Sequence, residues 1–137
     1  MNVLVDTCVW SLALRRSSAT RTVEESAITR SLSALIEHRR ARLVGPVRQE
    51  LLSGIRDQQR FRSVRDSLHS FPDEPLAMED WEFAAEANNR CRSTGIAGSL
   101  VDFLICAVAI NRNWEIFTTD ADFARYSRVL PLVIHQP

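Results

Sequence analysis

The sequence predicts an α/β fold in three layers, with a mostly parallel central sheet flanked by helices. Short apolar runs alternate with segments whose apolar residues recur at helical spacing, which is the pattern of a parallel sheet covered on both faces. The 137 residues are 45% hydrophobic and 25% charged, close to the average of a soluble globular protein. This length is that of one ordinary domain, and we expect residues 1–137 to form a single domain.

The predicted strands are short apolar runs that end at a polar or turn residue. The first begins almost at the amino terminus and is followed directly by Asp6. Gly45 and Pro46 close the second, and Pro46 also suits the first turn of the helix that follows. The predicted strands lie at residues 1–5, 42–44, 115–118 and 132–134.

The predicted helices combine apolar residues at helical spacing with residues that begin or end a helix. Residues 16–22 are polar and predict a loop, and Pro72 and Pro75 bracket another. Residues 123–126 predict a single helical turn. The longer helices are predicted at residues 7–15, 24–38, 57–71, 79–92 and 99–112, with one more from Pro46 to a break near Ser53.

The charges divide the chain into a basic part and an acidic part. The net charge is zero, but residues 15–65 hold twelve Arg against five acids, and residues 66–137 hold five Arg against eleven acids. A basic part suits contact with phosphates, and an acidic part suits metal ions. All seventeen basic residues are Arg. The absence of Lys excludes sites that need a P-loop lysine, a Schiff-base lysine or the lysine of a receiver-type phosphorylation site.

Three cysteines, Cys8, Cys91 and Cys106, are odd in number and widely spaced. We expect buried free thiols in a reducing compartment, which points to the cytoplasm, and no soft-metal site. No apolar run approaches the ~20 residues that a membrane span requires, and the amino terminus lacks the pattern of a signal peptide.

Four acids are candidates for one site at an edge of the sheet. Asp6 and Asp120 directly follow strands, and ligands of open parallel sheets gather at the carboxyl ends of strands. Glu50 and Asp102 lie in early turns of helices whose positive ends favour anions. Clustered carboxylates repel one another, and Mg²⁺ or Mn²⁺ offsets this repulsion because these ions prefer oxygen ligands.

Each acid also has a purely structural interpretation. Asp6 fits a turn or cap, Glu50 an exposed helix position, and Asp120 a turn. Asp102 fits a capping box with Ser99, which satisfies helix N–H groups and implies no chemistry. The convergence of all four on one edge favours the functional interpretation.

Four segments that contain these acids resemble the four motifs of PIN-domain nucleases, in family order. They are residues 5–10 (VDTCVW), 47–52 (VRQELL), 102–109 (DFLICAVA) and 118–123 (TTDADF). The size and the motifs most resemble VapC-type toxins of toxin–antitoxin pairs. Cys106 stands where such sequences often have Ala, which is a change in packing.

The resemblance implies a PIN-like fold and Mg²⁺- or Mn²⁺-dependent cleavage of structured RNA, such as transfer or ribosomal RNA. It implies that Asp6, Glu50, Asp102 and Asp120 hold the metal and carry the catalysis. It also implies a homodimer and inhibition by a VapB-type antitoxin. Asp122 adds a fifth acid, although motif position favours Asp120 as the ligand.

Other residues are candidates for supporting roles. Thr7 and Thr118 have hydroxyl groups that can orient acids or water, although both fit ordinary turn or strand positions. The candidates for contact with the RNA backbone are Arg15, Arg16, Arg48 and Arg56. Trp10, Leu12 and Leu14 fit either a dimer face or, preferably, the core.

Three other functions remain open from the sequence. The first is a housekeeping RNA-processing nuclease with the same site and no antitoxin. The second is a catalytically inactive module that binds RNA or protein, against which the presence of all four acids argues. The third is a phosphatase with an aspartyl nucleophile, which usually needs a second Asp where this chain has Cys8.

Overall fold

A computed structural model describes residues 1–15 and 17–137. Three short strands, β1 (Val3–Val5), β2 (Ala41–Arg42) and β3 (Glu115–Phe117), form a parallel sheet in the order β2-β1-β3. β1 lies at the centre, and all three of its residues are fully buried. The predicted α/β fold with a parallel sheet is therefore confirmed.

In the described residues, 1–15 and 17–137, seven α-helices surround this sheet. They are α1 (Thr7–Leu14), α2 (Val23–Glu37), α3 (Gly45–Leu52), α4 (Gln58–Leu68), α5 (Met78–Ser93), α6 (Leu100–Arg112) and α7 (Asp122–Tyr126). Asp57, which the sequence placed inside a helix, is instead an N-cap whose side chain accepts from the Arg60 amide. Ser99 is the N-cap of α6 and accepts from the Asp102 amide, as the capping-box pattern indicates. An acceptor side chain at this position satisfies an N–H group that the helix itself leaves free. No helix in the described ranges is long and apolar enough to cross a membrane.

The second strand lies at Ala41–Arg42 rather than at 42–44, and Leu43 forms an isolated bridge with Asp73. Two further predicted segments have a different kind of structure from the one expected. The predicted strand at 132–134 is reduced to a single bridge between Ile134 and Ile116, because β3 has three residues and only Ile116 directs its amide and carbonyl to that side. The predicted loop at 16–22 contains a 3₁₀ helix at Ser18–Thr20, whose first turn is capped by the Ser17 hydroxyl.

Helix α6 forms the middle of the core. Its residues 103–109 are all buried, so this helix is covered on every side rather than on one face. Trp10 and Leu12 are 1% and 6% exposed and belong to the core, which was the preferred alternative to a dimer face for these residues. The three cysteines are free thiols; Cys91 and Cys106 are buried and Cys8 is half-buried.

An ion pair joins the beginning of α5 to the end of α6. The Asp80 carboxylate accepts from Arg112 Nη1 at 2.8 Å and Nη2 at 3.0 Å, from the Asn111 amide at 3.0 Å, and from the Ala77 amide at 2.9 Å. These bonds, those from Arg112 above all, hold the pKa of Asp80 well below its usual range. The pair fixes the two helices antiparallel, with the amino-terminal turn of α6 at the opposite end from Arg112.

Candidate active site

The carboxyl ends of β1 and β3 bring the first and fourth motifs together. The Asp6 amide donates to the Phe117 carbonyl at 2.9 Å, which extends the ladder by one bond beyond β1. Among residues 1–15 and 17–137, the acids that offer carboxylate oxygens within 4.8 Å of one another are Asp102, Asp120 and Asp122. Electrostatic repulsion from Asp120 and Asp102 also links this cluster to Asp6.

Asp6 is a buried carboxylate that is held in one orientation. It is 6% exposed and is the N-cap of α1, where its Oδ1 accepts from the Thr7 amide at 2.8 Å. Its Oδ2 accepts from the Thr118 hydroxyl at 2.8 Å and from the Cys8 thiol at 3.5 Å. Burial raises the pKa of Asp6, and these hydrogen bonds offset part of the rise.

Thr118 connects the acids of the first and fourth motifs. Its hydroxyl donates to Asp6 and accepts from the Asp120 amide at 3.0 Å. Asp120 Oδ1 then accepts from the Asp122 amide at 2.9 Å, so the turn that carries both acids is held by side-chain bonds. Asp122 also receives the Arg125 guanidinium at 3.2 Å. This geometry suits the supporting role that the sequence suggested for Thr118.

Glu50 is not a member of the tight cluster and is linked to Asp6 through Thr7. The Thr7 hydroxyl donates to Glu50 Oε1 at 2.7 Å, and the neighbouring Thr7 amide donates to Asp6. Glu50 is exposed and lies in the second turn of the eight-residue α3. The expected contribution of a helix amino terminus is therefore met at Asp102, in the first turn of α6, and not at Glu50.

Asp102 forms only part of the predicted capping box. Its amide donates to the Ser99 hydroxyl at 3.0 Å, but its Oδ2 accepts from the Tyr126 hydroxyl at 2.6 Å. Burial raises the pKa of Asp102, the bond from Tyr126 lowers it, and Asp6 and Asp120 raise it further. Burial and the bond to Asp102 raise the pKa of Tyr126.

Sequence reasoning missed two residues of this site, Tyr126 and Cys8. Tyr126 is the single Tyr of the chain and follows the fourth motif by three residues, a position that could have drawn attention to it. The Cys8 sulfur lies 3.5 Å from the Thr118 hydroxyl oxygen and accepts from the Thr119 amide at 3.3 Å. Burial raises the pKa of this thiol, which keeps it a neutral packing group.

The donor set fits a hard divalent cation. The clustered ligand atoms are all carboxylate oxygens, which Mg²⁺ and Mn²⁺ prefer. The raised pKa values of Asp6 and Asp102 reflect burial together with mutual repulsion, and a bound cation offsets both effects.

The candidate RNA-binding arginines have different surroundings. Arg48 is tied to the end of α4 and the loop beyond it: Nε bonds Asp73 at 2.8 Å, Nη1 bonds the Leu68 carbonyl at 3.2 Å, and Nη2 bonds the Phe71 carbonyl. These bonds give Arg48 a structural role. Arg56 is exposed between α3 and α4, and Arg15 is half-buried at the end of α1. Arg16 lies outside the described residues.

Comparison with known proteins supports the architecture described above. The structure is similar to that of FitAcB from Neisseria gonorrhoeae, with 18% identity, coverage of 98% of this chain and 97% of that chain, and a TM-score of 0.74. It is also similar to VapBC2 from Rickettsia felis bound to a DNA fragment from their promoter, with 17% identity, 98% coverage of each chain and a TM-score of 0.71.

A third similar structure is VapBC-1 from nontypeable Haemophilus influenzae, with 16% identity, coverage of 99% of this chain and 98% of that chain, and a TM-score of 0.70. No curated protein matches the sequence significantly. The family model of the PIN domain matches residues 3–129, which is nearly the whole chain. The match includes all four acidic motifs, and the chain therefore belongs to the PIN domain family of nucleases.

Proposed function

We propose that this chain is a Mg²⁺- or Mn²⁺-dependent endoribonuclease that cleaves structured RNA of the transfer or ribosomal class. We further propose that it acts in the cytoplasm as a toxin that a VapB-type antitoxin neutralises. The observation that carries the proposal is the convergence of Asp102, Asp120 and Asp122 within 4.8 Å, next to the buried Asp6. Such a group of carboxylates is poorly explained as a stabilising element, because its members repel one another.

In this mechanism Asp6, Glu50, Asp102 and Asp120 would hold the divalent metal, and Asp122 would support them. A bound metal would supply a more acidic water and neutralise charge on the scissile phosphate. Thr118 keeps Asp6 and the turn of Asp120 in register through its two hydrogen bonds. Thr7 holds Glu50 beside Asp6, where an exposed carboxylate can accept a proton from water.

The direction of hydrolysis follows from these roles. Water attacks phosphorus in line with the 3′-oxygen, and the RNA 2′-hydroxyl takes no part as a nucleophile. The P–O3′ bond breaks and the 3′-oxygen takes up a proton from solvent, so the products carry 5′-phosphate and 3′-hydroxyl ends. No Lys is available as a base anywhere in the chain.

The proposed contact with the RNA backbone involves the end of α1 and the beginning of α4. Arg60 Nη2 reaches the Leu14 carbonyl at 3.5 Å, so these two ends lie together. Arg15 and the exposed Arg56 lie in the same region. The eight residues of α1 span about 12 Å, so phosphates two or three nucleotides from the cleavage point can reach these arginines. Arg48 is left out because its guanidinium binds protein groups.

An acidic cleft suits an antitoxin segment that carries Arg, because guanidinium pairs with carboxylates in bidentate geometry. The VapBC names of two structurally similar proteins support a partner of this kind.

For the homodimer we propose an apolar face at the rim of the cleft. Trp81 and Leu100 are 54% and 77% exposed and line one shallow pocket together with Pro46. Large exposed apolar groups of this kind mark interaction surfaces. Helix α5 is acidic in its first half and basic near its end, so two copies packed antiparallel about a two-fold axis place opposite charges together.

The first test is cleavage of labelled total RNA by antitoxin-free protein with Mg²⁺ or Mn²⁺. We expect discrete cuts with 5′-phosphate ends that EDTA abolishes and that Asp6→Asn reduces by at least about a hundredfold, a loss typical of a group acting in the transition state. Asp66→Asn, which changes an exposed acid on α4, serves as the matched control and should cut normally. Products ending in 2′,3′-cyclic phosphate, or cutting that persists in EDTA, would contradict the mechanism.

A second arm separates a toxin from a housekeeping nuclease. Expression in growing cells should arrest growth, and coexpression of the adjacent small reading frame should relieve the arrest. Cleavage in vitro without growth arrest would favour the housekeeping function.

A further inference from the structure

The phenol of Tyr126 is locked in one position by rings from the two elements that carry the clustered acids. Tyr126 is fully buried. Its ring centroid lies 4.9 Å from that of Phe103 on α6 and 5.2 Å from that of Phe123 on α7. Phe103 directly follows Asp102, and Phe123 directly follows Asp122. The ring therefore packs between the backbones that present both acids.

The Tyr126 phenol can reach Asp102 only because a glycine, Gly98, lies beside it. A Cβ added at Gly98 would lie 2.3 Å from the Tyr126 hydroxyl oxygen and 2.7 and 2.8 Å from two ring carbons. Any side chain there displaces the phenol, because the atoms it meets belong to a packed ring rather than to the end of a flexible chain. Gly98 directly precedes Ser99, the N-cap of α6. This close approach is independent of the acids themselves.

Among the residues that the structure describes, the hydroxyl has the Asp102 carboxylate as its hydrogen-bond partner. It donates to Oδ2 at 2.6 Å, a short bond of the kind formed by a hydroxyl and a charged acceptor. A carboxylate has about four acceptor positions, so one bond from the phenol fixes its rotation and leaves capacity for a cation. Groups that hydrogen-bond a metal ligand in this way set its orientation and the affinity of the metal.

We propose that Tyr126 is a positioning residue for metal binding, which aims the Asp102 carboxylate at the oxygens of Asp120 and Asp122, and that Gly98 provides the space for it. This inference rests on the proposed function, because it concerns the same cation site.

The test is a titration of metal-free protein with Mn²⁺, in which the electron paramagnetic resonance signal of free Mn²⁺ reports how much of the ion remains unbound. Tyr126→Phe keeps the ring and removes the hydroxyl. We expect its Kd for Mn²⁺ to rise at least about tenfold. Thr29→Val is the matched control, because it removes a buried hydroxyl that bonds the Ser26 carbonyl at 2.9 Å in α2. Its Kd should match that of the wild type.

A second variant, at Gly98, disturbs the same hydrogen bond from Tyr126 to Asp102 by displacing the phenol. Gly98→Ala should also weaken Mn²⁺ binding, and it should add less in the Tyr126→Phe background than it does alone, since the bond is already lost there. Additive effects of the two changes would contradict a shared route through the phenol.

Activity provides a readout that distinguishes positioning from general destabilisation. RNA cleavage by Tyr126→Phe should recover at high Mn²⁺, whereas cleavage by Asp102→Asn should not. If wild-type protein binds no Mn²⁺, the proposed function and this inference both fail. If wild type binds Mn²⁺ and Tyr126→Phe binds it within twofold as tightly, only the inference is overturned.

Discussion

Asp6 and Asp80 are both almost fully buried, with 6% and 2% exposure, yet their pKa values shift in opposite directions. Asp80 has a bidentate arginine, and the ionised form is favoured. Asp6 accepts from an amide, a hydroxyl and a thiol, none of which carries a positive charge, and burial disfavours its ionised form. At the residue scale this contrast separates a carboxylate that stabilises the fold from one that is suited to receive a cation.

We expect Asp80→Asn to lower the free energy of unfolding by about 2 kcal/mol at pH 7, because the change removes the bidentate charged partner of Arg112 and leaves the longer pair with Glu74 at 3.3 Å. Urea denaturation measures this. Glu86→Gln, which breaks the exposed pair with Arg90, is the control and should cost less than about 1 kcal/mol.

The pH dependence of that difference has a definite sign. The pKa of Asp80 is lowered in the folded state, so its ionised form contributes stability above the ordinary carboxyl range, near pH ~4. This contribution is lost as the pH falls below that range toward the folded pKa. A difference between wild type and Asp80→Asn that grows on acidification would contradict this account.

At the scale of elements, the sequence predicted the seven α-helices and three strands of the described residues, because apolar periodicity is local. It also predicted a fourth strand that the structure reduces to one bridge, and it missed the 3₁₀ helix. It placed helix ends less well. Asp57 falls just outside its helix because a side chain that caps the first turn must lie before it. The segment at 132–134 was predicted to be a strand from its apolar residues alone. Strand formation also depends on how many backbone amide and carbonyl groups the adjacent strand β3 directs toward it.

The acids of the site were accessible to sequence reasoning because each directly follows a strand or lies in an early turn of a helix. The residues that orient them were harder to find. The bond from Tyr126 to Asp102 joins residues 24 positions apart and depends on the absence of a side chain at Gly98. Arg48 was a candidate for RNA contact by charge alone, and only its tertiary partners reveal a structural role.

The segment between α3 and α4 provides a prediction at this scale. In the non-cutting Asp6→Asn background, Arg56→Gln should reduce the slope of log Kd for RNA against log salt concentration by about 0.7 to 0.9, one released counterion. Arg39→Gln is the matched control, because Arg39 is exposed but lies just before β2. It therefore lies at the amino ends of the strands, away from the acids at their carboxyl ends. Equal slopes for Arg56→Gln and its parent would remove this segment from the RNA contact.

At the scale of the whole molecule, the proposed dimer face can be tested without touching the acids. Trp81→Glu places a charge in the middle of the exposed apolar face on α5, and we expect it to shift the protein to monomers in sedimentation velocity. Val133→Glu is the control, since Val133 is 56% exposed and lies outside this face. A wild-type protein that sediments as a monomer at micromolar concentration would contradict the proposed dimer.

The central position of β1 determines when the protein can become active during its synthesis. β1 is made before both of its partner strands, because Val3 pairs with Ala41 on one side and with Glu115 on the other. At ~5–20 residues per second, the second partner is made roughly 5–25 s after the first strand. Asp120 is made later still, so the acidic cleft cannot assemble until synthesis has passed the fourth motif. The ribosome that makes this protein is therefore not exposed to the proposed nuclease while the first three motifs are being translated.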